Sequence, residues 1–96
     1  MIIRLIPEFL APRLVVVKSG DCLTINDVEY DFAPLPDGAS LPSSAIDCPH
    51  IVGDVERIDG EIVLTLILPN TPESTEAVRF PEPMRVVTDG PVELPV

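Results

Sequence analysis

The sequence predicts an all-β fold: a small antiparallel β-sandwich or partly open barrel built from hairpins, with about seven short strands and Pro-rich loops. Three observations carry that expectation. The 12 prolines are spread along the chain and leave only two long stretches free, 13–33 and 50–68. Proline removes a backbone donor and clashes inside a helix, so an extended helix has almost nowhere to sit. The apolar residues are mostly Val, Ile and Leu, with 4% aromatics and no Trp, a β-branched bias that suits a pleated, half-buried surface. Finally, both Pro-free stretches alternate around a two-residue turn signal, Asn26-Asp27 in one and Asp59-Gly60 in the other.

The elements follow in order. "IIRLI" (2–6) reads as a first strand stopped by Pro7. "RLVVVKSGD" supplies a second strand over 14–18 and a turn at Ser19-Gly20. In "DCLTINDVEYDF" a turn at Asn26-Asp27 sets Ile25 opposite Val28 and Leu23 opposite Tyr30 on an apolar face. Thr24 then meets Glu29, and Cys22 meets Asp31, on a polar face. A slip of one residue would exchange the faces, so the register is well specified.

Residues 33–49, "APLPDGASLPSSAIDCP", form a long Pro-rich connection with a turn at Pro36-Asp37-Gly38 and one short helical turn at "SSAI". Loops of this length in small domains are functional or ordered by packing. Leu35, Leu41 and Ile46 predict that this one lies against the sheet.

In the second hairpin, "HIVGDVERIDGEIVLTLILP", Ile51, Val55, Ile62, Leu64, Leu66 and Leu68 share one face, interrupted by Gly53 and Arg57. The other face carries Val52, Asp54, Glu56, Ile58, Val63, Thr65 and Ile67. A strand apolar on both sides belongs in a covered sheet or an interface. Val52, Ile58, Val63 and Ile67 are therefore the candidate protein-interaction face. Residues 69–77 read as a polar loop. "VRF" and "MRVVT" read as late strands, and Asp89-Gly90 as a turn into a last strand, "VEL".

With 96 residues the chain makes a single small domain, 1–96. Its net charge is −10, and residues 21–61 hold ten carboxylates against Arg57 alone. Such a chain does not offer the broad basic patch that nucleic acid or an anionic membrane surface requires. Two cysteines, Cys22 and Cys48, are too few for a disulfide framework. "MIIRLIPEFLAP" lacks the apolar core of a signal peptide, and no run reaches the ~20 apolar residues of a membrane helix. The expectation is a soluble protein made in the cytoplasm.

Candidate chemistries are few. Cys48 and His50 point the same way on an extended segment. A thiol–imidazole pair is the start of a nucleophilic or metal site, but such sites need an orienting third group or about four ligands. No serine lies in a G-x-S-x-G elbow, and P-loop, dinucleotide and EF-hand spacings are missing. Two acid pairs share strand faces, Glu29 with Asp31 and Asp54 with Glu56. Paired acids can hydrolyse glycosides or hold calcium, but their ordinary use is a solvated face that discourages edge-to-edge aggregation. These four form the candidate acidic surface. No catalytic, cofactor-binding or metal-ligating residue is assigned, and no cofactor is expected.

The segments "SGDCLTINDVEYDFAPLPDGASLP", "VERIDGEIVLTLILP", "VRFPEPMRV" and "DGPVELP" together resemble a group of small uncharacterised proteins encoded by tailed bacteriophages and proteobacterial prophages, commonly among the tail genes. The likeness covers most of residues 14–95. It departs at the first turn, where the family pattern has Asn-Gly and this chain has Asn26-Asp27. The resemblance lends no role to Cys22, Cys48 or His50. It implies a non-enzymatic tail-associated structural, accessory or assembly protein, made in the bacterial host and carried into the virion or left behind. Its partners would be other phage tail proteins or a second copy of itself. One alternative is an acidic decoy that blocks a basic nucleic-acid-binding surface of a host defence protein, and this needs its acids on one exposed face. Another is a small metal-binding domain.

Overall fold

The computed structural model describes residues 1–9, 13–70 and 75–94. Among the described residues, nine strands build two sheets. The elements in chain order are β1 (Ile2–Phe9), β2 (Val16–Ser19), β3 (Cys22–Ile25), β4 (Val28–Asp31), β5 (Ser40–Leu41), β6 (Val55–Ile58), β7 (Glu61–Asn70), α1 (Glu76–Arg79), β8 (Met84–Arg85) and β9 (Gly90–Pro91), with a 3-10 turn at Ser43–Ala45. One sheet has the order β5-β6-β7-β1-β8, and the other β4-β3-β2-β9. Their inner faces share a single core, in which Ile3, Leu23, Ile25, Val55, Ile62, Leu64 and Leu66 are fully buried. The molecule is an all-β sandwich.

Both predicted hairpins form in the predicted register. Ile25 pairs with Val28, Thr24 with Glu29, Leu23 with Tyr30 and Cys22 with Asp31. Asn26 (φ 48°) and Asp27 (φ 69°) adopt the left-handed backbone that a two-residue hairpin turn requires. In the second hairpin Ile58 pairs with Glu61 across Asp59 (φ 51°) and Gly60 (φ 81°). Ile51 joins the same inner face through a bridge to Leu66. The Pro-rich connection is held as expected: Leu35, Leu41 and Ile46 pack on the core, and Leu41 pairs with Val55 as part of β5.

Other expectations are corrected. The longest pairing is parallel, β1 on β7 from Ile2↔Val63 to Phe9↔Asn70, so the sandwich is antiparallel in the main but not throughout. The first strand does not stop at Pro7, and β7 runs through Pro69. The hydrogen-bond phase explains both. The Ile67 N–H donates to the His50 carbonyl (2.9 Å), and the Thr65 carbonyl accepts from Val52 (3.0 Å). Odd-numbered β7 residues thus face away from β1, so the N–H that Pro69 lacks is not one that β1 needs. Likewise the Met1 carbonyl accepts from Val86 (2.8 Å), so odd residues of β1 face β8. β8 pairs with Ile2 and Ile3, and among the described residues no strand pairs with Pro7 on that side.

Near the C-terminus "VRF" is not a strand: 76–79 form one helical turn. Pro81 ends it, because the residue before a proline is driven out of helical geometry, and Phe80 has φ −131° and ψ 64°. Of "MRVVT" only Met84–Arg85 pairs, immediately after Pro83. The last strand is Gly90–Pro91 rather than "VEL", because Gly90 is set opposite Lys18 and Pro91 opposite Val17. Of the polar loop expected over 69–77, residues 69–70 belong to β7 and 76–77 to α1, and 71–74 lie outside the described residues.

Candidate interaction face

The side of the five-stranded sheet that turns away from the core is assembled from three directions. β7 contributes Glu61, Val63, Thr65 and Ile67, alternating with the buried Ile62, Leu64, Leu66 and Leu68. The parallel pairing sets Ile2 beside Val63, Arg4 beside Thr65 and Ile6 beside Ile67. On the opposite flank Glu56 pairs with Val63 and Ile58 with Glu61, while Val52 is hydrogen-bonded to Thr65. Ile6 (44%), Ile58 (46%) and Val52 (38%) keep large exposed fractions, and Ile2 and Ile67 are half-buried.

Val63, expected in the exposed patch, is buried (7%), since it sits between Ile2 and Glu56 on adjacent strands. Ile2, Arg4 and Ile6 were absent from the predicted face. Their alternation in "IIRLI" shows that they share a side, but only the parallel pairing says whose side. The rim is charged. The Arg85 Nε donates to Glu61 Oε1 (3.0 Å), and the Met1 ammonium stands 3.5 Å from the same oxygen. The bond from Arg85 first, and the two positive charges with it, hold the Glu61 carboxyl below the usual carboxylate range against some opposing desolvation.

The candidate acids do not form one surface. Glu29 and Asp31 are exposed on the outer face of β4, in the other sheet. Glu56 is on the outer face of β6, and Asp54 is exposed in the segment before that strand. Because the two inner faces meet in one core, the outer faces point in opposite directions. Asp31 is engaged locally: its Oδ1 accepts the Ala33 N–H (2.9 Å) and the Cys22 thiol (3.2 Å). Those bonds lower the Asp31 carboxyl, the Ala33 N–H contributing most, and the same carboxylate raises the Cys22 thiol above its ordinary value.

Cys48 and His50 meet different neighbours. Cys48 is a buried free thiol packed into the core, and Cys22 is also free. The Tyr30 hydroxyl donates to the Asp47 carbonyl (3.2 Å). The Cys48 thiol beside it, burial and the Asp47 charge, in that order of origin, push the phenol up to about 12. His50 instead meets the first hairpin turn, its Nε2 3.1 Å from Asn26 Nδ2. Asn26 Nδ2 also donates to the Arg13 carbonyl (2.7 Å), and Asn26 Oδ1 accepts from Val15 (2.7 Å). With the amide so oriented, His50 Nε2 is the acceptor and the ring proton is on Nδ1. Among the described residues no three His, Cys, Asp or Glu side chains converge as metal ligands.

Two cations that the sequence left unassigned are structural. Arg57, the intruder on an apolar face, donates to Leu35 O (2.6 Å), Gly60 O (3.0 Å), Phe32 O (3.1 Å) and Asp21 Oδ2 (3.0 Å). Lys18 is buried (7%) and pairs with Asp89 at 3.2 Å. Asp89 also accepts the Gly20 N–H (2.9 Å), and these bonds, the backbone one first, lower its carboxyl. The signal for both was a cation at an inward position of an alternating strand.

No helix among the described residues is long and apolar enough to cross a membrane. No family model, curated protein or solved structure matches the chain.

Proposed function

We propose that this chain is a non-enzymatic accessory or assembly protein of a bacteriophage or prophage tail, acting by protein–protein contact through the outer face of its five-stranded sheet. The observation that carries the contact reading is that Ile6, Val52 and Ile58, each more than a third exposed, share one outer face with half-buried Ile2 and Ile67, interleaved there with Arg4, Glu56, Glu61 and Thr65. Exposed apolar side chains set among polar and charged ones are the usual composition of a non-obligate interface. The tail context rests on the resemblance of the spaced segments in 14–95. The division of the acids between two opposed faces favours this reading over a decoy that needs one acidic face.

The test uses cells producing the phage or prophage that carries the gene. Val52→Glu with Ile58→Glu adds charge at two exposed positions and spares the core. Expected are an unchanged thermal midpoint, loss of the protein from its complex with a tail protein, and fewer complete particles. Particles assembled in normal number with the folded double variant would overturn the proposal. Sedimentation of the purified protein identifies self-association as the contact if the wild type is a dimer and the variant a monomer.

A further inference from the structure

A second surface lies on the other sheet, at the free edge of β4. The Phe32 N–H donates to the Asp21 carbonyl (3.0 Å), which fixes the hydrogen-bond phase of the first hairpin. Val28, Tyr30 and Phe32 exchange backbone bonds with the neighbouring strand, and Glu29 and Asp31 alternate with them. The N–H and C=O groups of Glu29 and Asp31 therefore point away from β3. β4 ends its sheet, and among the described residues no strand pairs with that side.

A trough runs beside this edge. Its first part, a cavity of about 260 Å³, has Phe32, Leu41 and Ile46 among its apolar walls and Glu29, Asp31 and Asp47 as its charges. A second cavity of about 220 Å³ shares Asp31, Phe32 and Leu41 and extends to Pro36. No Lys, Arg or His lines either one. Edge-to-edge pairing with another copy would set Glu29 and Asp31 against the same acids, and like charges directly opposite are destabilising. The edge rejects a second copy and complements a basic strand.

We propose that the β4 edge and its trough accept an extended segment of a basic partner protein in which Lys or Arg alternates with apolar residues. Residues opposite Glu29 and Asp31 meet carboxylates on the outer face. Those opposite Tyr30 turn inward, toward the trough. Backbone bonds to two N–H and two C=O groups supply the alignment, as in strand addition to other open sheets. This surface is separate from the outer face of the five-stranded sheet, and it is read with no phage component present.

The experiment is an NMR titration of ¹⁵N-labelled protein with a capped heptapeptide of alternating lysine and valine. Two further arms use the same peptide N-methylated at its strand-facing amides, and the Glu29→Lys variant, a change at an exposed side chain. The expected result is saturable shifts confined to 29–32 and 41–47. Binding should weaken at least tenfold both on N-methylation and in Glu29→Lys. If the variant misfolds, the N-methylated arm alone still decides. Absence of saturable binding, or equal binding of the N-methylated peptide with shifts spread over all acidic segments, overturns the proposal and leaves the acids as guards against edge pairing.

Discussion

Asn26 shows how one side chain can tie a turn to the rest of a molecule. Its backbone takes the left-handed conformation of the hairpin, and its amide reaches Val15, Arg13 and His50. The next residue contributes much less. Asp27 (φ 69°) is exposed and is held in a conformation that costs a non-glycine residue on the order of 1 kcal/mol. The two positions should respond oppositely to glycine. Asp27→Gly relieves the backbone and is expected to stabilise the fold by roughly 0.5–1 kcal/mol. Asn26→Gly keeps the turn but removes the side-chain bonds and is expected to cost about 1–3 kcal/mol. Urea unfolding of both variants checks this, and equal effects at the two positions would refute the assignment of the bonds to Asn26. At this scale the sequence was legible for the turn, since Asn and Asp tolerate its geometry. It was silent about the amide's partners, which come from segments distant in the chain.

Among the elements, the hairpins form by local rules and the joints between them do not. Arg57 is the clearest joint. From the inner side of β6 it reaches Phe32 just after β4, Leu35 in the Pro-rich connection, its own turn at Gly60, and Asp21 in the turn between β2 and β3. Its side chain is only 12% exposed, so removing it leaves carbonyl groups short of a donor. Arg57→Ala is expected to destabilise by ~3 kcal/mol. Arg57→Lys should recover only part, because one ammonium cannot span acceptors arranged around a planar fork. Asp21→Asn should cost less than about 1 kcal/mol, since Asp21 is partly solvated. Chemical denaturation of the three variants gives the ranking, and Asp21→Asn matching Arg57→Ala would show that the ion pair dominates. The sequence marked Arg57 as an anomaly on an apolar face without naming its acceptors. The prolines teach the complementary point. Composition correctly excluded long helices, yet Pro7 and Pro69 sit inside strands because neither missing donor is one that the β1–β7 pairing uses.

The charge of the whole molecule gives its stability a defined pH window. Asp31, Glu61 and Asp89 are held below the usual carboxylate range in the fold. The native state therefore binds fewer protons than the unfolded chain in acid. Their contribution is present above the unfolded values near ~4 and is lost as pH falls through the folded ones. On the alkaline side the signs reverse. Tyr30 rises to about 12 from an ordinary value of about 10, so its contribution is complete below pH ~10 and disappears between ~10 and ~12. The Cys22 thiol, raised by Asp31, acts in the same direction above its own ordinary range. Unfolding free energy measured from pH 2 to 12 should be highest at intermediate pH and fall at both ends. Tyr30→Phe should lose the component of the decline between ~10 and ~12, and an unchanged alkaline limb would remove Tyr30 as its cause.

Local alternation and turn chemistry determined the hairpins, their registers and the inward apolar rows, because each depends on residues adjacent in the chain. They also named Val52, Ile58 and Ile67 as apolar residues facing away from the core. Tertiary structure alone decided that the strand from Ile2 lies parallel to the one from Glu61. That pairing adds Ile2, Arg4 and Ile6 to the outer face and helps bury Val63. Tertiary structure also sets Glu29 and Asp31 on one sheet and Glu56 on the other, and among the described residues it leaves one edge of β4 unpaired. The physical reason is range: a period of two fixes which side chains share a face, whereas the neighbour of a face is chosen by the packing of the whole core.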